Sequence, residues 1–180
     1  VFLHTDDTRR GEDSVFACLD LGTGKLQWQR STTSWAEGVP DLILHEAGIL
    51  VAASRDGTHA VSAENGTHLW TYEYPLIGHG GSFTKVMHLD GLGWVHNAKP
   101  DGGSGYAWEG LDPATGEVTR RIFHTITTKH RCYADVATER YFLCGTMDFV
   151  DLATKEQEHF SAAKSSCRAA GVVPANGLVY

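Results

Sequence analysis

The chain has 180 residues, a formal net charge of −7, 42% hydrophobic residues and 21% charged residues. That length can bury a sizeable core as one domain. An acidic balance with no block of like charge argues against nucleic acid or anionic membrane as a partner, since both need a basic footprint. No apolar run approaches the roughly 20 residues of a membrane span.

Four related stretches punctuate the chain. The first is Cys18-Leu-Asp-Leu-Gly-Thr-Gly-Lys-Leu-Gln-Trp28. The second runs from Ala60 to Trp70, the third from Gly110 to Arg120, and the fourth, most eroded, from Phe149 to His159. Their first residues, at 18, 60, 110 and 149, step by 42, 50 and 39. A period of about 40–50 residues filled by short strands is the spacing of propeller blades. The 20 glycines, set between β-branched runs, favour turns over helices.

The expected fold is all-β: about four blades of four antiparallel strands, plus the start of a fifth. Blade one spans residues 1–30, with strands at 1–4, 14–20 and 25–29. Blade two spans 41–74, with strands at 41–45, 49–53, 58–63 and 68–73. Blade three spans 83–123, with strands at 85–89, 92–97, 106–111 and 117–123. Blade four spans 132–160, with strands at 133–137, 140–144, 147–151 and 156–160. Residues 167–180 open blade five, as 167–173, a turn at 174–177, and 178–180. The stretch 152–164 has helix-tolerant composition, yet its Asp-Leu-Ala-Thr aligns with the repeated turn. The chain starts at Val1 and stops at Tyr180 inside strand-like runs, as expected of a segment of a longer protein.

The repeat residues have turn chemistry. Asp20 and Asp112 can accept from turn amides, and Thr23 and Thr115 can do so more weakly. Gly24, Gly66 and Gly116 suit a left-handed position that costs a residue with a Cβ about 1 kcal/mol or more. The small first residue is expected to leave room for an aromatic ring from the neighbouring blade. Trp28 and Trp70 bury a large ring and bring one N–H to satisfy.

This pattern resembles the tryptophan-docking motif of the quinoprotein-type (PQQ-repeat) β-propellers, Ala-x-Asp-x-x-Thr-Gly-(Lys/Glu)-x-x-Trp. The first copy matches with Cys18 in place of Ala. The second has Ser62 for Asp and Asn65 for Thr, and the third has Arg120 for Trp. The fourth keeps Asp151 and Thr154. The resemblance implies seven or eight blades in the complete protein. The stretches around Arg131-Cys132, residues 137–141, Cys167-Arg168 and 174–178 also look like parts of large bacterial quinoprotein-like propellers. The superfamily contains quinone-dependent dehydrogenases, and also non-enzymatic scaffolds such as outer-membrane assembly lipoproteins. The dehydrogenases carry adjacent cysteines, a catalytic Asp, and Glu and Asn calcium ligands. Cys18, Cys132, Cys144 and Cys167 are not adjacent, and no Asp or calcium ligand could be matched residue by residue. The resemblance thus implies a non-catalytic scaffold or ligand-binding platform in a periplasmic or otherwise extracytoplasmic bacterial protein. The alternative is part of a quinone- or metal-dependent oxidoreductase whose catalytic residues lie partly elsewhere.

In a propeller, loops from the outermost strand of one blade to the innermost of the next lie near the central channel. Here those loops cover residues 31–40, 75–82, 124–131 and 161–168. They bring Trp35, Glu37, His79, His124, His130, Arg131, Cys167 and Arg168 to one funnel, with Cys132 just inside. His79, His130, Cys132 and Cys167 suit zinc or copper. Arg131 and Arg168 suit a carboxylate or phosphate on a small-molecule or protein ligand. Solvated loop residues with a buried cysteine, and a Cys132–Cys167 disulfide, remain open beside that reading. Asn65-Gly-Thr67 matches a glycosylation sequon, but it occupies a tight turn where Asn-Gly has a backbone reason.

Overall fold

The computed structural model describes residues 1–5, 14–32, 43–54, 57–74, 86–97, 100, 106–125, 136–143, 148–159, 174–176 and 178–179. Among the described residues seventeen strands form five antiparallel sheets in sequence order. The first is β1 (Phe2–Thr5), β2 (Val15–Leu19) and β3 (Leu26–Ser31). The second is β4 (Ile43–Glu46), β5 (Ile49–Ser54), β6 (Gly57–Ser62) and β7 (His68–Tyr72). The third is β8 (Met87–Leu89), β9 (Leu92–Asn97), β10 (Tyr106–Leu111) and β11 (Val118–His124). The fourth is β12 (Val136–Ala137), β13 (Tyr141–Leu143), β14 (Phe149–Asp151) and β15 (Gln157–Glu158). A two-stranded ribbon, β16 (Pro174–Ala175) with β17 (Leu178–Val179), follows. Each sheet is a meander with every strand paired to its neighbour in sequence, which is the construction of propeller blades. Pro174 and Ala175, expected in a turn, are strand residues; the turn itself centres on Asn176, at φ 53°. Residues 152–154 form the repeated turn and not the start of a helix.

Side chains alternate across each strand, so each sheet offers one face to the sheet before it and one to the sheet after. In β5, Leu50 and Ala52 join a core with Phe16 and Trp28 of the first sheet. Val51 and Ala53, on the other face, join Val86, Val95 and Leu111 of the third. In β9, Val95 faces back to that core, while Trp94 faces forward to Phe142, Val150 and Leu152 of the fourth. Among the described residues three separate apolar seams result, each shared by two consecutive sheets.

The four repeats fold alike. The backbone N–H at the seventh position (Gly24, Gly66, Gly116, Lys155) donates to the third-position carbonyl (Asp20, Ser62, Asp112, Asp151) at 2.8–2.9 Å. All four seventh residues lie at positive φ, between 64° and 76°. Lys155 therefore takes the glycine conformation with a Cβ attached, and the fourth turn survives its loss of consensus. The carboxylates anchor the turns as expected: Asp20 accepts from Thr23 N–H at 2.8 Å, Asp112 from Ala114 at 2.7 Å, and Asp151 from Ala153 at 2.8 Å. A β-bulge follows the first residue of the first three copies, at Cys18/Leu19, Ala60/Val61 and Gly110/Leu111.

One expectation is corrected. The space beside Gly110 is filled from within its own sheet. A Cβ there would stand 2.9 Å from Leu92 Cδ1 and 3.2 Å from Trp94, because Gly110 pairs directly with Trp94 on the adjacent strand.

Candidate functional site: two ends of the blades

The repeated turns occupy one end of each sheet. There Trp28 Nε1 donates to Ala63 O in the second turn at 3.0 Å. Trp70 Nε1 donates to Pro113 O in the third turn at 2.9 Å. Ala63 and Pro113 hold the same place in their repeats. Each indole lies on the glycine of the next turn: a Cβ on Gly66 would stand 2.7 Å from Trp28, and one on Gly116 would stand 2.7 Å from Trp70. Asp20, Gly24, Trp28, Gly66, Trp70, Asp112 and Gly116 thus have architectural work. At the third junction Arg120 replaces the indole. It turns back on its own sheet, to Asp90 at 3.3 Å and over the Trp94 ring at 5.6 Å. The third and fourth sheets are bridged instead beyond the far end of β11, where Gln157 Oε1 accepts from Thr125 N–H at 2.9 Å.

The opposite end is polar and aromatic. Register places it there: Tyr106 pairs with His124, at the far end of the β10–β11 hairpin from the Asp112–Gly116 turn. Glu109, fully buried in β10, faces the second sheet. Its Oε2 accepts from Tyr72 Oη at 2.6 Å and Asn97 Nδ2 at 2.8 Å, and its Oε1 pairs with Arg121 Nε at 2.7 Å. Burial holds the Tyr72 phenol well above its ordinary pKa, with the Glu109 hydrogen bond and charge adding to the rise. A buried carboxylate with three donors is a satisfied charge. It ties the second sheet to the third where the tryptophan dock does not reach.

On the other face of the third sheet, His96 and His124 bring their Nε2 atoms to 2.8 Å. Trp108 stacks on His124 at 4.1 Å and on His96 at 5.1 Å. In the second sheet, Ser54 Oγ lies 2.8 Å from His59 Nε2, and Thr71 Oγ1 lies 3.0 Å from both His59 Nδ1 and His68 Nε2. Burial, then the neighbouring His59, hold the His68 pKa below the ordinary imidazole value. Asp148, buried in the fourth sheet, pairs with His159.

Of the funnel residues named from sequence, His124 is described and buried. Trp35, Glu37, His79, His130, Arg131, Cys132, Cys167 and Arg168 lie outside the described residues, as does Cys144. Cys18 is half-buried against Phe16 and Trp28, as a small core residue should be. Among the described residues no three His, Cys, Asp or Glu side chains converge in a metal-ligating group. Sequence reasoning missed Glu109 and the His96–His124 pair. The available signal for Glu109 was a charge inside the apolar strand run of residues 106–111.

No family model and no curated protein matches the chain. Solved structures do. The crystal structure of BamB from Moraxella catarrhalis is similar at 16% identity and a TM-score of 0.55, over 84% of this chain and 49% of that one. The computationally designed Ika8 protein is similar at 14% identity and a TM-score of 0.58, over 99% of this chain and 53% of that one. The chain thus spans about half the length of these structures. Meandering sheets, indoles docked on the next turn and both likenesses agree on one architecture: the chain has the β-propeller fold.

Proposed function

We propose that the chain is part of a quinoprotein-like propeller that acts as a non-catalytic, extracytoplasmic scaffold, presenting its loops to a protein or small-molecule ligand. The observation that carries this reading is the use made of the repeat. Both docking indoles spend their single N–H on the carbonyl of the next turn, at 3.0 and 2.9 Å. The residues that carry the quinoprotein resemblance therefore account for blade assembly, and none of them is needed for a quinone. The buried charge supports the same reading, since Glu109 is matched by three internal donors.

The strands ending at Tyr72 and His124 precede the funnel segments in sequence, and the proposed ligand lies at that end. His79, His130, Cys132 and Cys167 are the proposed donors for a metal there, and Arg131 and Arg168 for an anionic group. The test is reconstitution of the complete propeller with pyrroloquinoline quinone and calcium, followed by dye-linked dehydrogenase assay on alcohols and sugars. A scaffold retains no quinone absorbance after gel filtration and reduces no dye. Stoichiometric quinone with turnover would replace this reading with the oxidoreductase one. Elemental analysis showing neither zinc nor copper would remove the metal donors, and surface exposure to a membrane-impermeant label checks the compartment.

A further inference from the structure

We propose that His96 and His124 form a two-nitrogen site for a tetragonal divalent transition ion, copper(II) before nickel(II), at the polar end of the third sheet. The pair is independent of the scaffold reading and uses none of the proposed donors in the funnel segments. It is created by register. His96 pairs with Trp108, and His124 pairs with Tyr106, two residues along the same strand. Both imidazoles therefore flank β10 on one face, and their Nε2 atoms meet at 2.8 Å.

The separation and the general affinity order both bear on the choice of metal. Two cis nitrogens at right angles, each about 2.0–2.1 Å from an ion, stand about 2.9 Å apart. Two nitrogens on a tetrahedral zinc stand about 3.4 Å apart. The observed 2.8 Å is an ordinary hydrogen-bond length; to hold an ion the rings turn so that their lone pairs converge on it, and the nitrogens part by about 0.1 Å for the square arrangement against about 0.6 Å for zinc. Imidazole suits copper and nickel, and the general affinity order puts copper(II) first.

The proton balance is simple. Between two neutral rings, one Nε2–H donates to the other Nε2. To bind the ion, the donor ring carries its proton on Nδ1 instead, so both Nε2 lone pairs face the metal and no net proton is released. Water completes the coordination. His96 is only half-buried, which gives the ion a side of approach, while the stack on Trp108 fixes both ring planes.

Trp108 also supplies the readout, since copper(II) held by rings 4.1 and 5.1 Å from the indole quenches its fluorescence. The protein is titrated at pH 7.5 in a non-coordinating buffer with copper(II), nickel(II) and zinc(II) chlorides. The expected result is one copper that remains bound after substitution of the funnel donors, quenching in the order copper, nickel, zinc, and an electron paramagnetic resonance spectrum of that copper with two nitrogen couplings. His96→Gln and His124→Gln each lower copper affinity about 100-fold or more through loss of the chelate, while His68→Gln leaves it unchanged. Circular dichroism checks that the variants fold. If they do not, the nitrogen count of the wild-type spectrum decides. A single-nitrogen spectrum, or quenching kept in both folded variants, overturns the proposal. So does copper binding lost only on substitution of His79, His130, Cys132 or Cys167, which would instead support the funnel metal.

Discussion

Substituting Gly116 by Ala tests whether the docked indole holds two blades together or merely lies beside the turn. Two effects add at this position. The residue sits at φ 76°, where a Cβ costs about 1 kcal/mol. The new methyl would also stand 2.7 Å from Cδ2 and Cε3 of Trp70, a backbone-anchored contact with a large ring. Overpacking of that kind costs about 1–3 kcal/mol, so Gly116→Ala is expected to destabilise by about 2–4 kcal/mol. Gly91 supplies the control. It has φ 73° and nothing within 4 Å of a built Cβ, so Gly91→Ala should lose only the conformational part, about 1 kcal/mol. Urea unfolding at 25 °C, followed by circular dichroism, measures both. Repeating Gly116→Ala in a Trp70→Ala background removes the ring, and its cost should fall to the Gly91 value, a coupling of about 1–3 kcal/mol. Equal costs for Gly91→Ala and Gly116→Ala, or a Gly116 cost that persists without Trp70, would refute the docking account.

Restoring Trp at position 120 alone should not stabilise the third junction, because Lys155 brings a Cβ to the position where Gly66 and Gly116 accept a ring. Arg120→Trp combined with Lys155→Gly should raise the melting temperature above either single change. Arg121→Met leaves the buried Glu109 carboxylate short of its cation and should cost about 3–5 kcal/mol in a urea melt. Tyr72→Phe removes one hydrogen bond to the same carboxylate and should cost about 1–3 kcal/mol. The Asp151 carboxyl is held below its ordinary pKa, first by Thr154 N–H, then by Ala153 N–H and Arg140. A carboxylate depressed in the folded state adds stability above its unfolded pKa and loses it as pH falls through the folded one. Asp151→Asn should therefore be less stable than wild type at pH 7, with the gap closing below about pH 4.

The periodic features were legible because each turn is self-contained. Asp20, Thr23 and Gly24 make their contacts within five residues, so spacing alone reveals them. Strands β9 and β10 were equally plain, with an Asp90-Gly91 turn before one and a glycine-rich stretch between the two. Tryptophan docking could be anticipated as a role, and the carbonyls it reaches follow from the offset between copies. The polar end was different. Glu109 meets Tyr72 across 37 residues, and His96 meets His124 across 28, through pairing registers that no local pattern encodes. Gly110 misled for the same reason, since the ring beside it belongs to its cross-strand partner Trp94. The funnel residues were named from topology alone, and His124 is the one whose surroundings are described.

The dock has a direction. Each docked indole, Trp28 or Trp70, is a plug carried on the outer strand of one blade, and Gly66 and Gly116 are the sockets on the next. The second blade carries both, Gly66 and Trp70, and the third carries only the socket Gly116. The blades are therefore not interchangeable modules. A tandem duplication of the second blade would present each plug with a matching socket and could lengthen the array without a new kind of junction. A duplicated third blade would set Arg120 against Gly116, an empty socket, and the array would have its weakest seam there.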